Sequence, residues 1–154
     1  MIEQSFQFLR ENNEGILATV ADDKPQTRAF QVMHIDGTTL YFATSPRKSV
    51  YNQLQANPNV EFVVLHDKVS VRCAGRAYFD VPEATQRQIF DDNPVLPRLY
   101  SSYEQLVYFR LPVERLEYYD LRPTPPIAEH YDLVDGTISE GFRGERFSEQ
   151  TAVN

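Results

Sequence analysis

Residues 27–60 read TRAFQVMHIDGTTLYFATSPRKSVYNQLQANPNV, and the elements that they predict are the strongest indication of the fold. Two strand-like runs flank the turn signal Asp36-Gly37, and a helical run that ends at Asn57-Pro58 follows them. Between the second strand and the helix lies SPRKS, residues 45–49, where hydroxyl groups and two cations meet the unpaired N–H groups of a helix start. Such a turn suits a phosphate, but the same residue types also form ordinary solvated helix caps. The elements around the turn therefore decide between the two uses.

Strands and turns precede this stretch as well. Residues 15–21 have the composition of a strand, and Asp22-Asp23 marks the turn into a second strand at residues 26–35. Asp36-Gly37 favours a type I′ turn because both central residues of that turn need positive φ. We therefore expect residues 38–44 to pair antiparallel with residues 26–35.

The remaining elements follow from the same signals. Beyond these strands, the sequence predicts a short N-terminal helix that ends at Glu11, helices at 48–56 and 82–90, strands at 60–66, 68–79, 106–111 and 115–121, and a helical or turn segment at 96–100. Residues 134–154 contain three glycines and show weak periodicity, which predicts an irregular arm or a disordered tail. We expect a folded domain over residues 1–131 and a C-terminal arm or tail over residues 132–154. About six strands in hairpin order close most simply into a small antiparallel barrel, because closure removes unpaired edges.

Composition excludes several classes of function. A chain of 154 residues with 42% hydrophobic content can build one globular core. Its net charge of -7 argues against binding to nucleic acid, which relies on a basic surface. The chain has no apolar run of the roughly 20 residues that a membrane helix needs. The lone Cys73 and a start without a signal-peptide pattern lead us to expect a cytoplasmic protein.

The ordered set of elements resembles the flavin-binding split β-barrel of the pyridoxamine 5′-phosphate oxidase family over about residues 2–121. The residues that carry the likeness are 16–20, 27–32, 40–44, 48–54, 56–60 and 71–75. Within that family, the chain is most similar to small members grouped with nitroimidazole-resistance proteins. The resemblance implies a mainly β fold, a six-stranded antiparallel split barrel of the FMN-binding type.

The resemblance also implies a homodimer with FMN at the subunit interface. The residues that match cofactor-binding positions are Arg28 at the phosphate, Phe30, Gln31 and Val32 along the flavin ring, Ala43 and Thr44 at a strand end, Arg47, Lys48 and Ser49 in a phosphate cluster, and Ser70 facing the ring from the second hairpin. Counting back from Asn57-Pro58 instead places Ser49 and Val50 where the family has the basic residues of its phosphate cluster. The alignment of this turn with that cluster therefore stays open by one or two residues. Arg28 and Lys48 are the strongest phosphate candidates, because charge-assisted hydrogen bonds from Arg and Lys are the usual means of holding a phosphate.

The sequence identifies no catalytic acid, base or nucleophile, and it predicts no metal site. The three histidines are scattered, with no other ligand type at metal-binding spacing. Nitroimidazole-resistance proteins carry a histidine where this chain has Ala43, which disfavours their chemistry. A vitamin B6 oxidase is also disfavoured, because the chain has no Trp and no match to the basic C-terminal motif of those enzymes.

These observations leave a flavin-dependent oxidoreductase as the main hypothesis. FMN itself carries the redox chemistry, so such a protein needs few reactive side chains of its own. NADH or NADPH is a candidate electron donor, and the acceptor is a small unidentified molecule. The alternative is a non-enzymatic FMN carrier, sensor or stress-response module on the same barrel, and a deazaflavin or haem is an alternative cofactor.

Overall fold

The computed structural model describes residues 2–141, which form a mainly β fold with short helices. The helices are α1 (Ile2–Glu11), α2 (Ser49–Ala56), α3 (Glu83–Asp92) and α4 (Val95–Leu99), with a 3-10 turn at Tyr103–Gln105. The strands are β1 (Glu14–Ala21), β2 (Lys24–Gln31), β3 (His34–Asp36), β4 (Thr39–Thr44), β5 (Asn59–His66), β6 (Val69–Arg76), β7 (Val107–Asp120), β8 (Ile127–Asp132) and β9 (Thr137–Glu140). No helix in this range has the length and apolar character that crossing a lipid bilayer requires.

The barrel closes at a bend between β2 and β3. The hydrogen-bonded order of the strands is β2-β1-β5-β6-β7-β4-β3, so the two outermost strands follow each other in the chain. At the bend, the Val32 N–H donates to the Asn13 carbonyl (2.8 Å) next to β1, and the Met33 N–H donates to the Tyr41 carbonyl (2.8 Å) in β4. The predicted antiparallel split barrel is confirmed. Residues 2–141 form nine strands rather than six, because the bend divides one strand and the β8–β9 hairpin adds two.

The bend also corrects the predicted pairing of residues 26–35 with residues 38–44. Of the predicted strand at residues 26–35, only the part that forms β3 pairs with β4. The part that forms β2 pairs along its whole length with β1. The predicted type I′ turn at Asp36-Gly37 is wrong, since Asp36 pairs with Thr39 and the two loop residues are Gly37 and Thr38. Of these two, only Gly37 has positive φ (58°), as in a turn with glycine at its first loop position.

The two other tight hairpins join pairs of strands that the sequence predicts. Asp22 and Asp23 join β1 to β2 with φ values of 52° and 59°, and Asp67 and Lys68 join β5 to β6 with φ values of 48° and 66°. Two consecutive positive φ values are the mark of a type I′ turn, whose twist matches that of the strands. These hairpins are therefore determined by local sequence.

Strand β7 is continuous, although we predicted separate strands at 106–111 and 115–121. It pairs with β4 as far as Pro112 and with β6 from Val113 onward. Pro112 has no N–H to donate, and it lies where the strand changes partner, so the sheet tolerates it. Opposite this point the β6 register shifts between Ala74 and Gly75. A Cβ at Gly75 would lie 2.7 Å from the Pro112 carbonyl oxygen, so the close crossing requires glycine.

The arm predicted at residues 134–154 is not irregular where the structure describes it. Strand β9 pairs with β8, which in turn pairs with the second half of β7. The ring of Tyr131 in β8 is buried, with 2% exposure, and this apolar contact gives the hairpin a packed face. Residues 142–154 lie outside the described part of the chain.

The main core fills the barrel with aromatic and branched side chains. Phe42 and Phe109 stack with ring centroids 5.1 Å apart, and Phe62 meets Phe42 edge-on. Helices α1 and α2 contribute buried side chains to the same core, among them Leu9 and Leu54. A second, smaller cluster lies under α3 and α4 and includes Ile89, Leu96 and Tyr108.

Candidate functional site

Arg28 is held on the inner side of the barrel wall. It lies opposite Leu17 of β1, and cross-strand partners project from the same face of a sheet. Leu17 is fully buried in the core, so the Arg28 side chain also projects inward. Its Nη1 donates to Thr19 Oγ1 (2.8 Å), and its Nη2 donates to Gln53 Oε1 (2.5 Å) in helix α2. The guanidinium is thus fixed between β1 and α2.

The charge of Arg28 has no carboxylate partner among residues 2–141. Burial lowers the pKa of its guanidinium, because the charged form loses part of its hydration. Arginine nevertheless stays protonated at neutral pH. The site therefore carries a partly desolvated positive charge, which a bound anion would stabilise.

The start of helix α2 adds further cations. Lys48 occupies the N-cap position, where no side chain caps the helix, and the first turn contains no acidic residue. Arg47, Lys48 and Ser49 are exposed, and neither cation forms an ion pair within the described residues. Lys48 precedes Gln53 by five residues, which is about 7.5 Å along a helix axis. We call Thr19, Arg28, Gln53 and residues 45–49 the anion cradle.

The burial of Val50 bears on which residues of this turn align with the phosphate cluster of the family. Val50 is buried with 3% exposure, and it packs in the main core together with Leu54. A buried core valine offers no polar group to a phosphate. Arg47, Lys48 and Ser49, which precede it, have exposed polar side chains.

Thr44 and Ala43 end the strand that leads into the cradle. Thr44 is buried, and its Oγ1 has no hydrogen-bond partner among residues 2–141. A buried hydroxyl without a partner is uncommon, because it forfeits the hydrogen bonds it makes in water. A ligand that donated to or accepted from this group would remove that cost. Ala43 is half-buried and packs against the second cluster.

The other predicted residues lie in two different environments. The Phe30 ring packs against Phe42 and Phe109, and Val32 is buried in the same core. Their side chains are therefore occupied within the barrel, whereas Gln31 is half-buried on the alternate face of the strand end. Ser70 lies on the outer face of β6, since its neighbours Val69 and Val71 are the buried ones. Within one chain, Ser70 and Arg28 thus project from opposite faces of the sheet.

Two groups of residues escaped the sequence analysis. Thr19 and Gln53 belong to the anion cradle. The available signal was the position of Thr19, which lies two residues after Leu17 and therefore projects from the same inward face of β1. The second group is a polar cluster on the outer sheet face, where Glu117 forms an ion pair with Arg72 and lies 3.6 Å from His130 Nδ1. This cluster borders a cavity of about 180 Å³. Its members come from three strands, so no local pattern could reveal it.

Cys73 is buried in the barrel, as expected for a free cysteine. Desolvation raises the pKa of its thiol to about 12, because the thiolate is disfavoured in an apolar environment. The nucleophilic form is the thiolate, so this cysteine is inert at neutral pH. Among residues 2–141, no three histidine, cysteine or acidic side chains come together as metal ligands would.

Comparison with known proteins connects this geometry to a family. The family model described as pyridoxamine 5′-phosphate oxidase matches residues 1–105, which is more than half of the chain. This match confirms the resemblance on which the expected cradle residues were based. No curated protein matches the chain.

Solved structures share the fold at low identity. General stress protein 26 from Bacillus anthracis str. Sterne has a TM-score of 0.68 and 20% identity, over 90% of this chain and 97% of that one. A pyridoxamine 5′-phosphate oxidase-related, FMN binding protein from Nostoc punctiforme PCC 73102 has a TM-score of 0.63 and 16% identity, over 90% and 92% of the two chains. A heme binding protein from Mycobacterium smegmatis has a TM-score of 0.64 and 19% identity, over 76% of this chain and 52% of that one. At these identities, the likeness shows a common fold.

Proposed function

This chain belongs to the pyridoxamine 5′-phosphate oxidase family, and we propose that it binds FMN with the cofactor's phosphate in the anion cradle. The observation that carries this proposal is Arg28, a partly desolvated cation that only neutral oxygens hold in place. A phosphate monoester bears nearly two negative charges at neutral pH and accepts several charge-assisted hydrogen bonds. A phosphate dianion would neutralise the positive charge of Arg28, which has no carboxylate partner among the described residues.

The remaining cradle residues fit the same ligand. Lys48 and Arg47 add positive charge, while Ser49 and the N–H groups of the first helical turn add donors. Thr44 offers a buried hydroxyl that forms no hydrogen bond with any other described residue. Phe30 and Val32 would support the flavin by shaping the strand, since their side chains are committed to the core. Bound FMN would supply the redox chemistry, and the protein would bind and orient it.

A second copy of the chain would complete the site. Ser70 lies on the outer sheet face, so it can approach a flavin held at the cradle of another subunit more readily than one held at its own. The outer face of β1 and β5 carries exposed apolar side chains, with Ile16 at 42% and Leu65 at 73% exposure. Such a surface suits a two-fold interface. Light scattering at micromolar concentration tests this part: a monomer that retains stoichiometric FMN would refute a shared site.

We further propose that the bound flavin passes electrons from a reduced nicotinamide to a small acceptor. Anaerobic addition of NADH or NADPH should bleach the flavin absorption band, and an acceptor should restore it. A flavin that stays oxidised with both donors would instead favour the role of an FMN carrier or sensor.

The cofactor assignment is tested by spectra and by titration of the purified protein. Absorption distinguishes a flavin from a deazaflavin or haem, whose spectra differ in band position and shape. Fluorescence titrations with FMN and riboflavin then compare two ligands that share the ring system and differ in the phosphate. The cradle predicts tighter binding of FMN, and equal affinities would refute the phosphate assignment.

A further inference from the structure

Three polar groups of the anion cradle form a closed hydrogen-bonded triangle. Gln53 Oε1 accepts from Arg28 Nη2 (2.5 Å) and from Thr19 Oγ1 (2.7 Å). Thr19 Oγ1 in turn accepts from Arg28 Nη1 (2.8 Å). Thr19 is buried with 2% exposure, so these bonds are shielded from competing water. The triangle fixes the plane of the guanidinium. Nη1 also donates to the Leu17 and Gln26 carbonyls (3.4 Å each), so the N–H groups left for a ligand are Nε–H and the second N–H of Nη2.

Three other arginines of this chain are held by carboxylates. Arg72 pairs with Glu117, Arg110 with Asp80 and Arg122 with Asp120, and the last two make two-pronged contacts to the carboxylate. A carboxylate fixes a guanidinium and also cancels its charge. The amide oxygen of glutamine and the hydroxyl of threonine fix it without cancelling the charge. Arg28 therefore combines a defined position with a full positive charge.

We propose that Gln53 and Thr19 are positioning residues that keep Arg28 oriented and uncompensated, and that the neutral amide at position 53 makes the cradle selective for phosphorylated flavin over riboflavin. This inference rests on the proposed FMN-binding function. Because the amide is uncharged, it does not repel the phosphate as a carboxylate at position 53 would.

The substitution Gln53→Glu tests the inference, because it keeps the shape and the acceptor oxygen of the side chain but adds a charge. The carboxylate would pair with Arg28 and repel the phosphate. At separations of about 6 Å and an effective dielectric constant of about 20, this repulsion should weaken FMN binding by at least about 100-fold. Riboflavin has no phosphate, so its affinity should change by less than about threefold. The ionic-strength dependence of FMN binding should also flatten.

Gln55→Glu is the matched control. Gln55 is exposed on the same helix, two residues along, so the variant adds the same charge to α2 away from the triangle. Its preference for FMN should stay within about threefold of the wild-type value, because salt and water screen exposed charges. The melting temperature of each apoprotein shows whether the variant is folded. A purely structural role of Gln53 predicts that Gln53→Glu binds FMN as well as the wild type, since the new ion pair would hold Arg28.

The outcomes separate the two proposals. If wild-type protein binds FMN no more tightly than riboflavin, the proposed function fails, and the inference fails with it. If wild-type protein prefers FMN and folded Gln53→Glu keeps that preference, the inference alone is overturned. If Gln53→Glu does not fold, Gln53→Met replaces it. Met removes the acceptor without adding charge, so it should loosen Arg28 and reduce the preference for FMN, and an undiminished preference would overturn the inference.

Discussion

Replacing Arg28 with alanine should separate phosphate recognition from barrel stability. The variant loses the hydrogen bonds to Thr19 and Gln53, each worth about 0.5–1.5 kcal/mol in net terms. It also removes a partly desolvated cation, which offsets part of that loss. The bond from Thr19 to Gln53 survives, so neither side chain is left without a partner. We therefore expect the free energy of unfolding of the apoprotein to change by no more than about 1 kcal/mol.

FMN binding should respond far more strongly to Arg28→Ala. Losing a charge-assisted hydrogen bond to the phosphate costs about 1.5–3 kcal/mol, which corresponds to a rise in Kd of roughly 10- to 150-fold. The assay is fluorescence titration with FMN and riboflavin in parallel, with urea unfolding of the apoprotein as the stability measure. Arg98→Ala is the control, because Arg98 is exposed on α4 and should leave both affinities within about twofold. An equal loss of affinity for the two flavins, or no loss for FMN, would refute the reasoning.

Three further measurements address other parts of the molecule. Lys48→Ala should weaken FMN binding by about 1–3 kcal/mol with little effect on riboflavin binding. Lys68→Ala, in the turn between β5 and β6, should change neither affinity in the same titration. Cys73 is buried, and burial raises the pKa of its thiol, so a thiol reagent should modify it only in denaturant; rapid modification of the folded protein would contradict the burial. Gly75→Ala should lower the free energy of unfolding by about 1–3 kcal/mol, because the new Cβ would lie 2.7 Å from the Pro112 carbonyl oxygen, and an unchanged urea midpoint would show that the crossing can relax.

Much of the barrel was predictable because its hairpins are local. Asp22-Asp23 and Asp67-Lys68 adopt the positive φ values that tight turns need, and the strands on either side alternate in a period of two. Helix α2 begins one residue from the predicted start and ends at the predicted Ala56. In each case, the residues that decide the structure are neighbours in sequence.

The missed features depend on contacts between distant segments. The bend at Val32 and Met33 exists because the chain leaves β1 and joins β4 there, and neither residue type signals a change of partner. The β8–β9 hairpin follows a proline-rich stretch with weak alternation, and the burial of Tyr131 against the sheet gives it a fixed place.

For the candidate site, the residue types show which groups are available: Arg28 on an early strand, and cations and hydroxyls where a helix begins. How these groups are arranged depends on contacts between distant segments of the folded chain. Thr19, Arg28 and Gln53 are separated by 9 and 25 residues along the chain, yet they share one set of hydrogen bonds. In the folded chain, Val50 is buried and the ring of Phe30 packs in the core. The physical reason is that local propensity and side-chain period specify which face a residue takes, whereas barrel closure specifies which other residues that face meets.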